Sequence, residues 1–227
     1  MIPTPDPDSA GVGMHTSEIS DAAVRLGGCI FIAEDNHMKK NIRILTECAI
    51  MIAASTVLSF IKPIQVWTYG GGATICSMLP LVIIARRHGT KAGLFTAFAH
   101  SVLQLLFGLG NVQYATSFLM AVGIILLDYV IAYTVIGLSG IFSVREAHAG
   151  EGRLIAGISF SLSLRLLCHF LSGWIIWEAL WPNDLAWAAP IWSIVYNASY
   201  MVPELILTGI AACIINRTTK LMDRAVK

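Results

Sequence analysis

Arg165, His169, Gly173 and Trp177 recur every four residues inside one apolar stretch. On a helix that interval keeps side chains on a single, slowly drifting stripe, so a cation, an imidazole, a gap and an indole share a face. Such a stripe can line a ligand site. It can equally serve as helix-packing glue, with Gly173 at a close crossing and Arg165 snorkelling or paired to Asp128. Gln104, Asp128, Glu178, Asn197 and Glu204 also fall within apolar segments, where polar and ionisable groups are costly and usually face a cavity or a partner. Tyr129 follows Asp128 directly, and Trp192 precedes Asn197 by five residues, roughly the same side of a helix, with Tyr196 and Tyr200 nearby. A carboxylate, a tyrosine, a histidine, an amide and indoles together suit a flat cationic heterocycle, held by charge pairing, hydrogen bonds and cation–π contact. Trp181 and Trp187 read equally well as a belt at the membrane interface. His169 and Asp128 also make an acid and base pair for a membrane-embedded enzyme, but no nucleophile–base pair or phosphate-binding loop accompanies them. Cys29, Cys48, Cys76, Cys168 and Cys213 are scattered without the close spacing of a zinc site. No metal or cofactor is expected.

The elements that must carry these residues are membrane helices. Hydrophobic residues make up 56% of the 227 and charged residues 13%, with a mean hydropathy of +0.71, too few charges to coat a soluble globule. Six apolar segments, near 42–61, 73–85, 90–108, 115–141, 154–180 and 187–215, predict an all-α integral membrane protein of six transmembrane helices. The second is short, and Pro80 within it predicts a bent or shallow helix preceded by a loop. Gly70, Gly71 and Gly72 sit in that loop and read as a turn or as the hinge of a gate. Residues 1–37 are polar, carry Pro3, Pro5 and Pro7 and lack a signal-peptide pattern, so they read as a disordered extension ahead of a membrane domain at 38–227. Leu26 to Cys29 resembles a lipoprotein box only superficially, because the residues before it are mostly polar.

Basic residues cluster at one set of helix ends. Lys39, Lys40 and Arg43 precede the first segment, Arg86, Arg87 and Lys91 join the second to the third, and Arg145 and Arg153 join the fourth to the fifth. Arg217, Lys220, Arg224 and Lys227 follow the sixth, and the other side holds only Lys62. Short cytoplasmic loops are enriched in such residues, so both termini are predicted cytoplasmic, with the loops near Tyr69, Asn111 and Asn183 facing outward. No basic tract with interleaved aromatics suits nucleic acid, and no internal repeat suggests a transporter built from two matching halves.

Several fragments, taken in order, carry a resemblance. They are Arg43, Thr46, Glu47 and Ala49 opening the first helix, Met78 to Pro80, the turn from Arg86 to Leu94, Leu127 to Tyr129, Cys168 to Gly173, and Tyr196 to Tyr200. Their order and spacing over residues 40–216 resemble the thiamine-specific S components of energy-coupling-factor vitamin transporters. The resemblance implies that His169, Gly173 and Trp177 on the fifth helix, Asp128 and Tyr129 on the fourth, and Asn197 on the sixth bind the vitamin near the outer face. Some relatives have glutamate where Asp128 stands, and some have tyrosine where this chain has Trp192, which keeps a stacking surface and loses a hydroxyl. A loop tryptophan of some relatives falls at Gly71, leaving Trp67 or Tyr69 as substitutes. The resemblance further implies a multi-pass protein of a prokaryotic cell membrane that works with a transmembrane coupling protein and two ATPase subunits; the lack of a Walker motif here agrees with ATP hydrolysis on partners. Ala49 and Ala53 have the spacing that family uses for docking to the coupling protein, or else pack within the domain. An S component for another vitamin, such as riboflavin, is the sister reading.

The charge asymmetry makes a direct prediction. A reporter that is active only in the cytoplasm, fused after Lys227, is expected to be active, and one active only outside the cytoplasm silent; the reverse pattern would refute an even number of crossings from an inside start.

Overall fold

The computed structural model describes the backbone of residues 16–67, 70–142, 150–219 and 221–223, with side chains from residue 38 onward except 64–70. Tyr69, Arg145, Lys220, Arg224 and Lys227 lie outside the described residues, as does the side chain of Trp67. The chain divides into two compact units, Met1–Leu45 and Thr46–Lys227. Helix α1 spans Thr16–Phe60, so helical backbone begins well before the first apolar segment; no proline interrupts the sequence between Pro7 and Pro63, and helix propensity does not require an apolar stretch.

A two-stranded antiparallel hairpin follows, β1 (Ile64–Trp67) and β2 (Gly70–Ala73), with Ile64 opposite Ala73 and Gln65 opposite Gly72. Helix α2 then runs Leu79–His88 with Pro80 in its first turn. The proline therefore starts a helix and does not kink one, because its missing N–H falls where no intrahelical acceptor is available anyway. The apolar segment read at 73–85 is divided between the end of the hairpin, a bend, and this short helix.

Gly89 alone separates α2 from α3 (Thr90–Phe107). Its φ of +90° lies where residues with a Cβ are strained, which lets the chain reverse in a single residue. A one-turn helical piece, Leu109–Val112, precedes α4 (Phe118–Gly140), which Ser117 caps by accepting a hydrogen bond from the Met120 amide at 3.2 Å. Helices α5 (Glu151–Leu180) and α6 (Ala189–Thr218) complete the fold. Among the described residues, four stretches are long and apolar enough to cross a membrane: Met38–Phe60, α4, α5 and α6.

The core forms around α2, whose residues from Leu79 to Arg86 are all buried. Leu81, Val82 and Ile83 pack with Ala97 of α3, Ile136 of α4, Leu154, Ile158 and Leu162 of α5, and Ala212 of α6. A helix apolar around its whole circumference belongs at the centre of a bundle. Small residues let the backbones close on it: Gly93 abuts Ala85 and Gly137, Gly140 abuts the Ala85 carbonyl, and Gly157 abuts the Ser139 carbonyl. At the end of α2, Glu47 of α1 pairs with Arg87 at 3.0 Å and His88 at 2.7 Å.

Candidate functional site

Both helices that carry the central residues widen locally. In α4, residues Ile125–Val130 form a π-helical turn containing Asp128 and Tyr129, and in α5 residues Gly173–Trp177 form another. A π turn spreads one extra residue over each hydrogen-bonded loop, and such turns recur at functional sites. Because each residue then advances through a smaller angle, Trp177 drifts less from the His169 line than a regular α-helix would allow.

The consequence is a convergence on Asp128. One carboxylate oxygen lies 3.3 Å from His169 Nδ1, and the other accepts a hydrogen bond from Trp177 Nε1 at 2.8 Å. The Asp128 and His169 side chains are mostly buried, 12% and 14% exposed, so the charge is held in a largely apolar setting where paired donors matter most. His169 Nε2, on the far side of the ring, is buried and has no hydrogen-bond partner among the described residues. Trp177 stacks on Trp181, with ring centroids 5.5 Å apart and planes 6° from parallel, and Trp181 meets Tyr114 edge-on at 4.8 Å. Trp181 thus extends the aromatic surface beside the carboxylate. Its spacing of four from Trp177 was the available signal.

The other predicted residues separate into supporting roles. Tyr129 turns away from its neighbour: its hydroxyl donates to the Gly108 carbonyl at 3.1 Å and accepts from Asn111 Nδ2 at 2.7 Å. Gly108 has no Cβ where the Tyr129 ring passes, so this tyrosine fastens the α3–α4 connection. Gly173 marks a close crossing: a Cβ there would run into Ser193 Oγ and lie 3.1 Å from Asn197 Nδ2. Asn197 is buried and donates to the His169 carbonyl at 3.2 Å and the Ser193 carbonyl at 2.9 Å, while its own carbonyl accepts from the Tyr200 hydroxyl at 2.6 Å. It therefore holds the α5 backbone just where the π turn begins.

Trp192 and Asn197 are not on one side of α6, because five residues leave about 140° between them around an α-helix. Trp192 instead packs against Trp187 and Tyr196 in an aromatic row that continues to Tyr200. Gly71, with a φ of +68°, seats β2 on that row, 2.9 Å from a Tyr200 ring carbon to the position a Cβ would occupy. A tryptophan at Gly71 would be both strained and obstructed here.

Arg165 does not pair with Asp128. It lies 3.7 Å from Glu204 of α6 and 4.5 Å over the Tyr133 ring. Glu178 accepts from the Asn183 side chain at 2.8 Å and organises the α5–α6 loop. Gln104 reaches Ser59 and His100. His100, which sequence reading did not single out, is fully buried between Ser55, Thr56 and Gln104 and against Tyr133; its four-residue spacing from Gln104 was the missed clue. No cluster of three or more potential metal ligands occurs among the described residues.

The profile of a family described as "Thiamine transporter protein (Thia_YuaJ)" matches residues 45–223. The chain belongs to the thiamine transporter family. It is 32% identical over 193 residues to the thiamine transporter ThiT of Bacillus subtilis, covering 81% of this chain and 94% of that protein. It is 26% identical over 181 residues to the thiamine transporter ThiT of Lacticaseibacillus paracasei, covering 74% and 84%. A solved structure of ThiT from Listeria monocytogenes superposes with a TM-score of 0.67 at 28% identity, over 81% of this chain and 98% of that one. Membership in the thiamine transporter family makes this mostly helical membrane protein a transporter rather than an enzyme.

The role of Tyr129 can be isolated from charge chemistry. Tyr129→Phe and Asn111→Ala are each expected to cost about 1 kcal/mol, a fall of roughly 2–4 °C in the Tm of the detergent-solubilised protein. The double variant should lose less than the sum, and strict additivity would show that the two groups act separately.

Proposed function

We propose that this chain is the substrate-binding membrane subunit of an energy-coupling-factor importer that captures thiamine outside the cell and delivers it inward. The observation that carries the reading is the Asp128 carboxylate, held between His169 and Trp177 with Trp181 stacked alongside. Thiamine presents a permanently charged thiazolium and a flat aminopyrimidine with polar edges. A mostly buried anion beside parallel indoles complements both. Asp128, His169 and Trp177 contact the vitamin in this reading, with Trp192 as an aromatic surface, whereas Tyr129, Gly173 and Asn197 set the geometry of the walls. The names of the relatives from Bacillus subtilis and Lacticaseibacillus paracasei agree with this substrate.

The same reading has six crossings, both termini in the cytoplasm of a prokaryotic cell, and a membrane domain at 38–227 behind an extension at 1–37. Its partners are a transmembrane coupling protein and two ATPase subunits, since the chain itself carries no Walker motif. Ala49 and Ala53 are exposed on α1, where small side chains admit a second helix at close range.

Mass spectrometry of ligand released from protein purified without added vitamin tests the substrate directly. Thiamine supports the proposal, riboflavin or another vitamin redirects it to a sister S component, and turnover without retention points to an enzyme. His169→Ala and Trp177→Ala are each expected to weaken thiamine binding by about 1–3 kcal/mol with expression retained. Wild-type affinity in both folded variants would assign the stripe to packing.

Docking is tested separately, with thiamine affinity measured on the purified subunit and uptake measured with the full complex. Ala49→Trp and Ala53→Trp should keep binding and lose uptake. Normal transport in both would leave that face to lipid, and loss of binding would place the alanines in internal packing.

A further inference from the structure

Glu204 is 3% exposed in the middle of α6, and its carboxylate reaches groups outside that helix. One carboxylate oxygen accepts from Thr74 Oγ1 at 2.5 Å and Ser77 Oγ at 2.8 Å. The other faces Arg165 Nη1 on α5 at 3.7 Å, one turn from His169. Thr74 and Ser77 are themselves 7% and 0% exposed and belong to the bend that immediately follows β2. Ser77 is tied further to α1, its carbonyl accepting from Ser55 Oγ at 2.6 Å.

The hairpin needs such an anchor. Two short strands have little stability of their own, and its glycine-rich second strand offers few side chains for packing. What locates β2 is the seat of Gly71 on Tyr196 and Tyr200 at one end and the Glu204 carboxylate at the other. Tyr200 in turn donates to Asn197, which holds the His169 carbonyl. A buried carboxylate is expensive unless donors meet it, so the hydroxyls and the carboxylate hold each other in place.

We infer that Glu204 is a positioning residue for the ligand site, a latch that fixes hairpin β1–β2 over the aromatic wall of α6 through the hydroxyls of Thr74 and Ser77. The inference rests on the proposed thiamine site for its functional consequence, which is slow escape of bound vitamin. Its structural content stands independently. Arg165 completes the latch by balancing the carboxylate charge from α5.

Two measurements on the full-length purified protein decide it. Thr74→Val is nearly isosteric and removes one donor, Ser77→Ala removes the other, and Thr74→Ser keeps a hydroxyl as the conservative control. Amide hydrogen exchange at Gly71, Gly72 and Ala73, measured without vitamin, should accelerate by about tenfold in Thr74→Val combined with Ser77→Ala and remain near wild type in Thr74→Ser. Exchange in the buried α2 segment should not follow, which separates a freed hairpin from general destabilisation. In stopped-flow binding, thiamine dissociation should quicken by about tenfold in the double variant with association little changed. Ser77→Ala alone is expected to show the same direction if the double variant folds poorly. Wild-type hairpin exchange in the folded variants would overturn the latch, as would equal acceleration in Thr74→Ser. Failure of the wild-type protein to bind thiamine would instead overturn the substrate, leaving the exchange comparison to judge Glu204.

Discussion

A carboxylate carried into the interior of a membrane domain loses its hydration, and only groups on other parts of the same protein can replace it. Asp128 and Glu204 meet that requirement in opposite directions. Asp128 on α4 is served by an imidazole and an indole from α5, and Glu204 on α6 by two hydroxyls beyond the hairpin and a guanidinium from α5. Between them the two acids relate α4, α5, α6 and the hairpin to one another. Apolar packing around α2 holds the helices together, but it is non-directional. The carboxylates add the directional part, choosing which residues face which.

Irregular backbone makes this pairing geometrically possible. A regular α-helix rotates a four-residue stripe steadily away from its starting face, and the π turn at Gly173–Trp177 slows that rotation where Trp177 must reach Asp128. The matching turn in α4 carries Asp128 and Tyr129, adjacent residues sent to different tasks. Asp128 meets α5, while Tyr129 ties down Gly108 and Asn111. Gly173 and Asn197 then bring α6 against the α5 backbone at the same level. These supports fix the positions of the few polar groups that meet at Asp128.

The absence of side-chain bulk is as consequential as its presence. Gly71 permits the hairpin to lie directly on Tyr196 and Tyr200, so the hairpin covers this wall with backbone. The chain has an aromatic row on α6, from Trp192 to Tyr200, and the glycine strand lies on its Tyr196–Tyr200 end. The stacking surface next to Asp128 is enlarged by Trp181, just past the end of α5.

Much of this protein was readable before any coordinates. Hydropathy and charge are local properties that add along a chain, so membrane character, the apolar segments and the one-sided lysines and arginines follow from sequence alone. The His169 to Trp177 stripe and the cost of burying Asp128 were legible for the same reason. Partner choice was not. The sequence reading offered Arg165 either Asp128 as a partner or a snorkelling position, and the packing of α6 against α5 brought it to Glu204 instead. Pro80 became a helix start once the preceding residues entered a hairpin and bend, and Gly173 and Tyr129 acquired their roles from the neighbours packed against them. Those outcomes depend on contacts between residues far apart in the chain, and a local pattern carries no information about which distant group will arrive to complete it.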